Sequence, residues 1–164
     1  MERWLLAAAL LASSAGCRKG GDEQAILELI DEAARLAEAH ETSEIMDLAT
    51  DDFVAEPGGR DSEEVRGILQ FAFMRYGEMR IVYPKPSIEI TPPDMARAGV
   101  PFVIMRAGGP VPDLGGLVED HEKWLEEASR SADPYHLDLW LLKTSGRWKV
   151  AKVHIEGLRP VEEI

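Results

Sequence analysis

Residues 135–156, YHLDLWLLKTSGRWKVAKVHIE, constrain this chain more than any other stretch. Tyr135, Leu137, Leu139 and Leu141 occupy one parity, and His136, Asp138, Trp140 and Leu142 the other. A period of two is the signature of a β-strand. Lys143 to Arg147 interrupts the run, and Gly146 supplies the positive φ that a tight hairpin turn demands. A second run follows at once with Trp148, Val150, Ala151, Val153 and Ile155. The stretch therefore predicts an antiparallel hairpin that floors whatever cavity the protein has. Neither parity is purely polar, whereas a sheet wetted on one side splits more cleanly. Both faces are expected to be covered, one by the chain's own helices and the other by a second copy. Which parity faces the helices stays open at this level.

Ahead of the hairpin the pattern is first helical. Asp22 is placed to cap a helix whose apolar stripe is Ala25, Ile26, Leu29, Ile30, Ala33, Leu36 and Ala37, at spacings of three and four. A shorter helix starts near Thr42 or Ser43 and ends at Asp51-Asp52. Phe53 to Glu56 reads as a short extended piece before the turn at Pro57-Gly58-Gly59. Asp61 to Glu64 opens a third helix with acids where the helix dipole favours them. Its buried side is Val65, Ile68, Leu69, Ala72 and Phe73, and Gly77 stops it. Strands follow over Met79–Tyr83, Ser87–Ile90 and Met95–Met105, with Pro84 and Pro86 marking an edge or a sharp bend. Gly108 to Gly116 reads as a loop, and Leu117 to Ser129 as an inserted helix with His121 and Trp124 on one side.

The first sixteen residues read as an export signal. Arg3 gives a basic start, and Trp4 to Ala12 is an apolar run too short to span a bilayer. Ser13-Ser14-Ala15-Gly16 then leads into Cys17, the only cysteine in the chain, so no disulfide can form within it. This small-residue run ending in cysteine resembles the lipobox of bacterial lipoproteins, with Ser14 where that family most often has leucine. The resemblance implies cleavage before Cys17 and a diacylglycerol on its thiol. The alternative is ordinary secretion, cut near Ala15 or Gly16. Arg18 follows the cysteine where an aspartate marks inner-membrane retention in that family, so the resemblance implies the outer membrane, facing the periplasm. Residues 17–21 form a lipidated tether that reaches at most about 18 Å when extended.

The remainder is long enough for one domain over 22–157, with a short tail at 158–164. A net charge of −12 disfavours nucleic acid and anionic headgroups as partners, leaving the acyl chain on Cys17 to hold the membrane.

Helix, helix, short strand, helix and a run of strands closing on a Gly-Arg-Trp hairpin resembles the nuclear transport factor 2-like superfamily. The SnoaL-like and ketosteroid-isomerase-like branches belong to it. Ile45 to Phe53 and Leu141 to Val150 carry the match. The resemblance implies an α+β fold, a cone-shaped curved antiparallel sheet wrapped around three N-terminal helices. A helical insertion would precede the last hairpin. In the isomerase branch an acidic base precedes a proline after the second helix, where this chain has Glu56-Pro57. An acid two strands from the end supplies an oxyanion donor, where it has Asp138. The third partner, a tyrosine on the first helix, is missing, and Ala33 stands near that position. The fold hosts enzymes, carriers and assembly modules, so it leaves function open.

The resemblance thus makes Glu56 and Asp138 candidates for acid–base chemistry, and His136, two residues from Asp138 on the same strand face, could pair with it. The plainer readings are a solvated turn acid for Glu56 and, for Asp138, a partner of Lys149 or Lys152 across the hairpin. Phe53, Phe73, Phe102, Met105 and Trp140 are the candidate lining of an apolar pocket, or simply core. His40, His121, His136 and His154 are scattered without ligand spacing, so no metal site is expected, and no motif calls for a cofactor. The favoured expectation is a lipid-anchored envelope protein that pairs through its sheet and binds a small apolar ligand or a protein partner without catalysis. The alternatives are an isomerase- or dehydratase-like enzyme and a structural subunit of an envelope assembly.

Overall fold

In the computed structural model of the chain, residues 16–106 and 132–157 are described, with side chains from Gly20 onward. The export signal, the Cys17 thiol, the loop and helix expected over Gly108–Ser129 and the tail at 158–164 lie outside the described residues. Three helices come first, α1 (Gly16–Glu38), α2 (Thr42–Asp47) and α3 (Ser62–Tyr76). The strands are β1 (Ala49–Glu56), β2 (Met79–Val82), β3 (Ser87–Thr91), β4 (Met95–Arg106), β5 (Asp133–Thr144) and β6 (Arg147–Gly157). They form one curved, open sheet in the order β1-β6-β5-β4-β2, with β3 also on β4. All pairs are antiparallel except β1 with β6, which run parallel.

The hairpin forms as its sequence predicts. Both turn residues take positive φ, Ser145 at 52° and Gly146 at 78°, as the two-residue turn that matches strand twist requires. Leu139 and Leu141 face α1, packing with Ile26, Leu29, Ile30, Ala96, Ala98, Val100 and Trp148 into the main core. This settles the parity: the odd residues of β5 point inward. On β6 the inward parity changes along the strand, from Trp148 and Val150 to Val153 and Ile155. Leu141 pairs with Val150 and Trp140 with Lys152, which leaves Ala151 as an extra residue. A bulge of this kind re-aims every side chain beyond it.

Helix α1 starts ahead of the expected Asp22 cap and takes in the stretch read as a tether. The Asp22 carboxylate is engaged elsewhere. It accepts from Trp148 Nε1 at 3.2 Å and pairs with Lys143 Nζ, tying the helix to the hairpin. Acids further along α1 fasten the opposite edge of the sheet. Asp31 accepts from the Tyr83 hydroxyl, and Glu38 accepts from the Ile81 N–H at 2.7 Å. Covering an edge in this way blocks strand addition there. β2 and β3 lie end to end along β4, pairing with Val103–Arg106 and Met95–Gly99 respectively, with Pro84 and Pro86 at the break.

Two other helix expectations shift. The strand after α2 begins at Ala49 rather than Phe53, because Ala49 already pairs with Val150. On α3 the Asp61 capping box forms with Glu64, and Gly77 ends the helix at φ 62°. Ile68, expected to be buried, is 44% exposed, and Phe71 and Met74 are more so. The helix packs on β1 through Val65, and Phe73 is buried against the His40 ring.

Candidate functional site

The inner face of the sheet changes character along β5. From Leu141 back to Leu137 it is filled by leucines against α1. At the strand's start the same parity brings Tyr135 and Asp133 inward, and β4 sets Phe102 directly opposite Tyr135. The two rings stack with centroids 5.4 Å apart. The last residue of α3, Tyr76, completes the group. Its hydroxyl donates to Asp133 Oδ2 at 3.0 Å and lies 2.8 Å from the Tyr135 hydroxyl. Burial, and then the bond to Tyr135, push the Tyr76 phenol well above its ordinary range. The phenol therefore stays a neutral hydrogen-bond donor at any physiological pH. Phenols and a carboxylate held together beside an aromatic wall can orient a ligand's carbonyl or hydroxyl group.

None of these inward polar residues stands out locally. Tyr135 carries the right parity, but Tyr76 lies 59 positions away and meets it only through the fold. Asp133 precedes a proline at the margin of the strand and reads as a turn residue.

The expected acid–base candidates lie on the other face. Glu56, His154 and Asp138 form one outward cross-strand row. The Glu56 carboxylate accepts the N–H groups of Gly59 at 3.1 Å and Gly58 at 2.9 Å, which hold its pKa below the usual range. Its nearest cation is Lys152, at 3.8 Å. It is a turn-holding acid, and a lowered pKa makes it a weaker base. Asp138 Oδ1 lies 3.9 Å from His136 Nε2, so the two do share a face. Its hydrogen-bonded partner is Arg97 Nη2 at 3.2 Å, not Lys149 or Lys152. Register explains the difference, because Lys152 stands opposite Trp140 and lies over its ring, while Lys149 reaches the Ala49 carbonyl.

The five candidate pocket residues are dispersed. Phe53 is core between β1, α2 and α3. Phe73 is buried and stacks on His40 with centroids 4.9 Å apart. Phe102 joins the Tyr76 group. Met105 packs with Val103 and Ala132 on the outward parity of β4. Trp140 is outward, with Arg97 5.0 Å from its ring centroid. Among the described residues, no three His, Cys, Asp or Glu side chains converge as metal ligands. No helix of the described residues is long and apolar enough to cross a membrane.

The chain matches no family model and no curated protein. Among solved structures it is similar to a nuclear transport factor 2-like protein with a cystatin-like fold from Novosphingobium aromaticivorans. The TM-score is 0.66 at 16% identity, over 90% of this chain and 89% of that one. A candidate scytalone dehydratase from the same organism also has a TM-score of 0.66, at 10% identity over 91% of this chain and 99% of the other. A nuclear transport factor 2-like protein of unknown function from Pseudomonas putida gives 0.64 at 13% identity, over 87% and 91%. The chain has the nuclear transport factor 2-like fold.

Proposed function

We propose that this protein is a lipid-anchored envelope protein that binds a small, largely apolar ligand at the Tyr76–Asp133–Tyr135 end of its helix-facing sheet surface, without catalysis. The observation that carries the reading is the Tyr76–Asp133–Tyr135 hydrogen-bonded group beside Phe102, on the helix-facing side of the sheet. Between Tyr135 and Lys143, which Asp22 of α1 already holds, the inward side chains of β5 are leucines, so the phenol group marks where a ligand's one polar atom is recognised. Diacylated Cys17 holds the protein in the outer membrane facing the periplasm, since the acidic domain has no electrostatic affinity for anionic lipid.

A second reading is an enzyme of the isomerase or dehydratase kind. It is favoured by the same phenol–carboxylate contact and by the likeness in fold to the candidate dehydratase. In it Asp133 would take the proton and the phenols would stabilise the developing oxyanion.

Mass spectrometry of the protein isolated from its own host's membranes, native and then digested, tests both parts. The expected result is a retained small molecule and a diacylglyceryl group on Cys17. An unmodified Cys17 contradicts the anchor, and a ligand-free protein that turns over ring-carbonyl substrates favours the second reading.

A further inference from the structure

The outer face of the sheet carries a second feature that the inner site leaves unused. In one cross-strand row Glu89, Arg97, Trp140 and Lys152 stand side by side. The adjacent row holds Ser87, Gly99, Asp138 and His154. Where β3, β4 and β5 meet, a cleft of about 280 Å³ opens, with Arg97, His136, Asp138, Ser87 and Glu89 around it.

Gly99 is the floor of this cleft. A Cβ placed there would stand 2.8 Å from Ser87 Oγ and 3.6 Å from His136 Nε2, so these two polar atoms flank bare backbone. The backbone at Gly99 does not lie in the left-handed region, so no turn requires glycine. A glycine inside a strand weakens it and marks a place where something approaches closely.

The charges around the floor are of both signs. Arg97 is held against the Trp140 ring and makes a single contact to Asp138 Oδ1, at 3.2 Å. That contact uses one N–H of five and one carboxylate oxygen, so both groups keep hydrogen-bonding capacity toward the cleft. A simple anion seated on Gly99 would face Asp138 and Glu89 in a chain of net charge −12. A simple cation would face Arg97. A ligand that carries both charges a few ångströms apart satisfies all of them.

We propose that the cleft binds a small zwitterion of the α-amino acid type. Its carboxylate lies toward Arg97 and the imidazole N–H of His136, and its ammonium toward Asp138, Glu89 and the oxygen of Ser87, whose hydrogen goes to the Gly99 carbonyl at 3.3 Å. The site is independent of the inner one, being on the opposite face of the same strands.

The test is an amide NMR titration of the full ¹⁵N-labelled protein with L-alanine, using acetate and methylammonium as single-charge controls. L-Alanine is expected to shift the Ser87, Gly99 and Asp138 amides saturably, with an affinity at least about tenfold above either control, a gap of about 1.4 kcal/mol. Gly99→Ala, which fills the floor, and Arg97→Gln, a change at an exposed side chain, should each remove the saturable response. Arg97→Gln keeps the test decisive should Gly99→Ala fail to fold. Equal responses to all three probes, the same L-alanine affinity in Arg97→Gln, or a homodimer that buries Gly99 would each overturn the proposal.

Discussion

Leu141 and Leu142 are the same residue type, one position apart, on opposite faces of β5. Leu141 is 1% exposed in the core against α1, whereas Leu142 shares the outward parity of Trp140, Asp138 and His136. The two faces are built on different physics. The inner one is close-packed apolar surface between the Asp22–Lys143 contact at one end and the Tyr76–Asp133–Tyr135 group at the other. The outer one has the buried Val103–Met105–Ala132 cluster at one end and elsewhere carries charges in exposed pairs that are each worth little. The larger core lies on the inner face, and removing the charged outer groups should change recognition more than folding.

The bulge gives the sharpest way to break this comparison. Inserting one alanine after Lys152 would invert the parity beyond it, turning His154 toward the helices and Val153 and Ile155 outward. The expected outcome is loss of a cooperative unfolding transition by circular dichroism. An insertion variant that melted like the parent would mean that the two faces are interchangeable.

Next in size is the leucine pair itself. Leu141→Ala should cost about 2–5 kcal/mol in urea unfolding, from lost burial and the cavity left behind. Leu142→Ala should cost under about 1 kcal/mol. Similar losses for the two would contradict the assignment of faces.

At the polar end, Tyr76→Phe removes a hydrogen bond while keeping the ring, and should cost about 1 kcal/mol. The phenols also give the inner face a pH dependence. Burial first, and then the bond to Asp31, raise the Tyr83 phenol as burial and Tyr135 raise Tyr76. A folded-state pKa above the unfolded one makes a contribution that is complete below about pH 10, where unfolded tyrosine starts to ionise. It is lost as the pH rises from there. Stability measured from pH 8 to 12 should fall from about pH 10 in the parent, and less steeply in a Tyr76→Phe, Tyr83→Phe variant. The smallest effect is expected outside: a double-mutant cycle on Arg97 and Asp138 should give a coupling of about 0.2–1 kcal/mol, weaker in salt.

Much of the fold was legible in the sequence because period and turn chemistry are local. The alternation of Tyr135 to Leu142, Gly146, the Asp61 cap and the stripe from Ile26 to Leu36 each carry their meaning within a few residues. The run from Trp148 to Ile155 changes parity between Val150 and Val153, and the bulge at Ala151 explains it. The candidate site was less legible. Asp138 and Glu56 sit where the isomerase branch has its acids, but register turns both outward, so sequence position alone misplaces them. Tyr76 and Tyr135 come from a helix end and a strand start, and no local spacing joins them. Arg97 and Ser87 likewise acquire meaning only once β3, β4 and β5 lie side by side.

The proposed ligand belongs to the Tyr76–Asp133–Tyr135 end of the inner face. Native mass spectra of three proteins taken from the same host membranes address it directly: the parent, a Tyr76→Phe, Tyr135→Phe variant, and Arg97→Gln. The account predicts a retained small molecule on the parent and on Arg97→Gln, and its loss from the tyrosine variant. A ligand that stays on the tyrosine variant and leaves Arg97→Gln would contradict it.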